Sequence, residues 1–110
     1  MVETPFARSI ECFAMTYEEF YRSLKNGEPP PGMSPLLEAL WWDAKGDWRR
    51  AHNIAQDLES ADAAWVHAYL HRKEGDDLNA GYWYRKADKP HCETAFEPEW
   101  VQIAHHLVGQ

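Results

Sequence analysis

The stretch Ala39-Leu-Trp-Trp-Asp-Ala-Lys-Gly-Asp-Trp-Arg-Arg-Ala51 decides the fold, because it returns as Ala68-Tyr-Leu-His-Arg-Lys-Glu-Gly-Asp-Asp-Leu-Asn-Ala80. The copies lie 29 residues apart and agree at Ala39/Ala68, Gly46/Gly75, Asp47/Asp76 and Ala51/Ala80. A fixed period of this kind marks stacked supersecondary units. Each copy reads as a helix, a Gly-Asp hinge and a second helix. Glycine tolerates the left-handed geometry that ends a helix, and the aspartate after it caps the next one. A stop followed directly by a start predicts a tight antiparallel hairpin.

Outward from the hinges, the first unit opens at Ser34-Pro35, where proline at the first turn loses no hydrogen bond. Its helices carry Leu36, Leu37, Leu40, Trp41 and Ala44, then Trp48, Ala51, Ile54, Ala55 and Leu58. Ser60 caps the second unit. Its first helix, roughly 61–74, is apolar on most sides, as befits a central helix. Ala80, Trp83, Tyr84 and Ala87 continue it, and Pro90 stops it. On the N-terminal side, Thr16 and Glu19 form a capping box before the stripe Tyr17, Phe20, Tyr21 and Leu24. Asn26-Gly27 is expected to end that helix, and Pro29-Pro-Pro31 forms a stiff connector. Phe6, Ile10, Phe13 and Met15 fit either a short helix or an extended arm. A last helix with Trp100, Val101, Ile103, Ala104, Leu107 and Val108 would cap the stack.

The expected fold is therefore all-α: two stacked antiparallel helix hairpins with an N-terminal and a C-terminal flanking helix. The 110 residues form one domain. Residues 1–33 are the N-terminal helix and Pro-rich connector, 34–59 the first hairpin, 60–90 the second and 91–110 the C-terminal capping helix.

Composition narrows the function classes. Eleven basic against eighteen acidic residues give a net charge of −7, which repels a phosphate backbone and argues against nucleic acid. No apolar run reaches a membrane-spanning length, and residues 1–8 lack a signal-peptide core, so a cytoplasmic location is the default. Cys12 and Cys92 match no metal or redox spacing, and both are expected as small buried thiols, with pairing left open.

Certain residues resemble the tetratricopeptide-like family of helical repeats. They are a small residue in the first helix (Ala39, Ala68) and a large one three residues on (Trp42, His71). The hinge glycine and the alanine five residues beyond it (Ala51, Ala80) follow, then Tyr84 and Ala87 in the second unit. The likeness covers roughly 34–90, with a period shorter than that family's usual ~34 residues. It implies protein or peptide binding on a helical groove, here by Trp41, Trp42, Trp65 and Tyr69, with a homodimer as one form. Trp65–Asp76 and Tyr82–Arg85 also resemble bacterial proteins of similar size, which implies no activity.

His67 and His71 are the sharpest polar feature. Four residues apart on one helix, they share a face and suit a transition metal such as Zn²⁺ or Ni²⁺, with Glu74 three residues further on. His52 on the preceding helix could approach them. The metalloprotease pattern needs a Glu after the first His, and Ala68 stands there instead. The alternative is that the pair only satisfies buried polar groups. A second constellation adds Arg72, Tyr82, Trp83 and Arg85, where guanidinium beside aromatic rings would hold a small anion. Against it, those arginines have abundant acidic partners. No phosphate cradle or nucleophile elbow is present, and no catalytic residue is assigned.

Overall fold

A computed structural model describes residues 15–109, which form six helices and no strands. They are α1 Tyr17–Ser23, α2 Pro35–Ala44, α3 Trp48–Gln56, α4 Ala61–Lys73, α5 Asp77–Ala87 and α6 Phe96–Val108. Helices α2 and α3 make the first hairpin, and α4 and α5 the second. The two hairpins stack through α3 and α4, while α6 lies across α2 and α4 and α1 packs on α6. The expected arrangement is the one observed. The arm at 6–13 and Cys12 lie outside the described residues.

The repeat is reproduced down to individual hydrogen bonds. Gly46 has φ +92° and Gly75 has φ +90°. Gly46 N–H donates to Asp43 O and Asp47 N–H to Trp42 O. Gly75 N–H donates to Arg72 O and Asp76 N–H to His71 O. This paired closure of a helix end needs the left-handed residue that glycine supplies. The following aspartate then caps the next helix, Asp47 accepting from Arg50 N–H and Asp76 from Asn79 N–H.

Small residues set the helix spacing. Ala39, Ala51, Ala68 and Ala80, the identical alanines, are fully buried, so neighbouring backbones approach closely. Helix α4 is buried without a break from Ala63 to His71, which makes it the central helix. Buried indoles find acceptors, as an N–H in an apolar interior must. Trp41 donates to Ser23 Oγ, Trp100 to Leu40 O and Trp65 to Glu99.

One end differs from expectation. The capping box of Thr16 and Glu19 is present, but α1 closes at Ser23 with Leu24 in right-handed geometry. Gly27 has no positive φ and does not act as the stop. Lys45 Nζ instead donates to Leu24 O and Asn26 O, so a side chain of the first hairpin holds the end of α1.

Candidate metal centre

The stacking of α3 on α4 brings three imidazoles together. His67 and His71 come from successive turns of α4 and are 7% and 8% exposed. His52, half-buried, arrives from α3. His67 Nε2 lies 2.9 Å from His52 Nε2. One ring nitrogen from each of the three lies within 4.8 Å of the others. Two Zn–N bonds at the tetrahedral angle set their nitrogens about 3.3 Å apart, and 2.9 Å corresponds to an angle of about 90°. The same distance is that of a ring N–H···N hydrogen bond, so in the metal-free fold one of the two Nε2 atoms carries a proton, and the pair can chelate once that proton moves to Nδ1. His71 stacks on His67 at 4.9 Å and 15° between planes, so bringing its in-plane lone pair to the same point requires its ring to turn out of that stack.

The rings are held in place from outside. Trp48, one turn before His52, stacks on it at 4.8 Å and 12° between planes. That indole is itself fixed by its hydrogen bond to Leu70 O at 2.7 Å. Trp83 from α5 stacks on His67 at 4.0 Å and 14°. His71 Nδ1 is 2.8 Å from Glu74 Oε2, which commits that nitrogen and leaves Nε2 for the cluster. A carboxylate on the far nitrogen of a histidine fixes its tautomer and raises its basicity as a ligand.

Electrostatics keep the rings neutral. Burial pushes the His67 pKa down to about 4, with His52 and His71 adding to the effect. Burial also lowers that of His52, followed by His71; Glu74 opposes and Arg49 reinforces. At neutral pH neither ring is an imidazolium, so metal binding asks only that the ring proton shared between them leave Nε2. The donor set is nitrogen alone, without thiolate, thioether or carboxylate. That suits Zn²⁺, Cu²⁺, Ni²⁺ or Co²⁺ rather than Mg²⁺, Ca²⁺ or a soft monovalent ion.

Several expected site residues fall elsewhere. Glu74 does not join His67 as a ligand; it groups with His71 and Asp76, and its expected place is taken by His52. Arg72 turns away to the other side of α4. It makes two hydrogen bonds with Glu99 Oε1, at 2.9 and 3.1 Å, and one with Thr94 O. Arg85 is exposed on α5, its guanidinium beside Gly81 on the side that carries His91. Of the anion constellation only Trp83 reaches the histidines.

The expected aromatic docking face does not form. Trp41, Trp65 and Tyr69 are at most 4% exposed, because α1, α5 and α6 cover the hairpins. Trp42 is half-buried, edge-on to Trp41, with Arg50 over its ring at 4.1 Å and its N–H on Glu38. Cys92 is a half-buried free thiol. Neither His91 nor the His105-His106 pair joins the cluster: His91 lies near Asp77, His105 stacks on Tyr17 and His106 bonds Asp62.

Glu99 escaped the sequence reading. It is 2% exposed and accepts from Trp65 and Arg72 of α4 and Tyr84 of α5, so two helices close around a carboxylate carried by α6. No local pattern marks it, since its partners are brought in only by the docking of α6. Trp48 did carry a signal, its four-residue spacing to His52.

No family model, curated protein or solved structure matches the chain. Fold and site define the class: an all-α stack of two helix hairpins with a histidine cluster in the seam between them. No helix among the described residues is long and apolar enough to cross a membrane.

Proposed function

We propose that this chain is a transition-metal-binding protein, with His52, His67 and His71 as ligands and Glu74 as the orienting carboxylate. The observation that carries the reading is the convergence of three imidazole nitrogens from two hairpins, two of the rings clamped by indoles. A site spanning the seam gains free energy from folding and returns it to the fold, because the unfolded chain holds no such geometry. The units count as tetratricopeptide-like in this reading, with the metal between them, and a cytoplasmic setting goes with Cys92 as a thiol.

The test is calorimetric titration of the chelator-treated full chain with Zn²⁺, Ni²⁺, Co²⁺ and Cu²⁺. One ion per chain is expected, with affinity following the order Co²⁺, Ni²⁺, Cu²⁺. His52→Ala and His67→Ala should each weaken it about a hundredfold or more, since each removes one of three ligands. Uptake no stronger than millimolar, or uptake indifferent to His52→Ala, defeats the proposal.

Partner binding, with self-association as one form, is the second reading. Its supporting observation is Leu78, 90% exposed, one turn before Tyr82, 47% exposed, on the outer face of α5. Light scattering of the wild type beside Leu78→Glu tests it: a dimer that the charge dissociates supports it, and a monomer in both excludes self-association.

A further inference from the structure

A second site lies on the opposite side of α4 from the histidines. The ends of α1, α2 and α4 and the start of α6 surround a cavity of about 400 Å³, within the size range of small-molecule pockets. We infer that this cleft binds a small organic monocarboxylate with an aromatic or branched apolar body, its carboxylate on Lys73.

The floor is polar. The Asp43 side chain, 2% exposed, accepts from Lys73 Nζ at 3.0 Å and from Tyr69 OH at 3.1 Å. Lys73 is 31% exposed, and its ammonium has three protons, of which Asp43 takes one. Two donors therefore remain beside the cavity. Asp43 is what keeps the ammonium at this position, and burial together with that carboxylate holds the Tyr69 phenol protonated. Helix α6 begins at the same cleft, with Phe96 and Glu97 in its first turn and no side-chain cap at Ala95. Its positive end faces the same cleft and is offset by Glu97 and Glu99 in its own first turn.

The walls are apolar. Leu24 and Trp100 line them, and Tyr21 and Phe96 stand at the mouth, 56% and 41% exposed. Two of the four large exposed apolar residues among those described thus edge this one cleft. The two unused N–H donors of the one ammonium at the bottom and the aromatic surface toward the mouth fit a ligand with its hydrogen-bonding group at one end. Two charges oppose a bound carboxylate: Asp43, whose charge the Lys73 ammonium offsets at 3.0 Å, and exposed Glu97. Screened by solvent at the rim, Glu97 penalises the reversed pose, with the carboxylate outward, more than the committed one.

The test uses three probes of one shape on the full chain: phenylacetate, phenylacetamide and phenethylamine. Amide chemical shifts and the indole N–H shift of Trp100 report binding. Phenylacetate should saturate and bind about tenfold tighter than the other two, the preference of a charge-assisted hydrogen bond. Lys73→Arg should keep that preference and Lys73→Met abolish it. Because Lys73→Met strips Asp43 of its cation and can unfold the chain, Ala44→Trp serves as a second variant. Ala44 is an exposed residue lining the cleft, and an indole there should block all three probes. No saturable shift, equal binding of the three, preference for the amine, or binding that survives Ala44→Trp overturns the inference. None of these outcomes bears on the histidine cluster.

Discussion

Acid should loosen the seam between the hairpins, and His67 should be the main cause. In the metal-free fold its pKa is about 4, against about 6.5 for an unperturbed imidazole. The unfolded chain therefore binds a proton that the folded chain refuses, in the window between those values. The stabilisation is present above about pH 6.5 and is lost as the pH falls through about 4. The displacement corresponds to about 3 kcal/mol at most, and solvent reaching the seam through half-buried His52 reduces it to about 1–2 kcal/mol. For a domain of this size that is about 5–10 °C in Tm. His52, also lowered, acts in the same direction, with Arg49 reinforcing and Glu74 opposing. Asp76 is held low by its bonds to Asn79, so its own loss comes at more acid pH. The assay is urea unfolding by circular dichroism, with chelator present, between pH 7.5 and 4. His67→Gln removes the titrating group, so the wild type should lose about 1–2 kcal/mol more than the variant over this range. Parallel curves, or a wild type that gains on the variant as pH falls, would refute the reasoning.

Other consequences are local. Glu74→Ala should weaken metal binding about 10–100-fold at unchanged stoichiometry, by competition with a chromophoric chelator; unchanged affinity would remove Glu74 from the site. Arg72→Met strands Glu99, 2% exposed, without its cation and should cost about 3–5 kcal/mol in urea unfolding. A loss below about 1 kcal/mol would mean that Tyr84 and Trp65 satisfy the carboxylate by themselves. Gly75→Ala should cost about 1–2 kcal/mol because φ is +90°, not because of crowding, as an added Cβ meets nothing within 4 Å. A neutral result would show that the hinge relaxes.

The hinges were legible because everything they need is local. Gly46-Asp47 and Gly75-Asp76 carry their own φ preference and their own cap, and both work within a few residues. The pairing of His67 and His71 was legible for the same reason, since one turn of helix sets it. Gly27 misled because Lys45, from another helix, ties down the end of α1. Trp41, Trp65 and Tyr69 misled because helical spacing says that aromatics share a face, not what covers it.

The sequence alone determined the periodic units, where each chain segment reverses, and which turns of α4 bear imidazole. These follow from backbone preferences and helical geometry, which act over a handful of residues. Tertiary packing alone decided that His52 would meet His67 at 2.9 Å, that the cluster would draw its third imidazole from α3, and that Asp43 and Lys73 would floor a cleft. Those arrangements depend on how far apart and at what angle whole helices settle. That is set by the summed burial of alanines and indoles along their length, which no short stretch of sequence encodes.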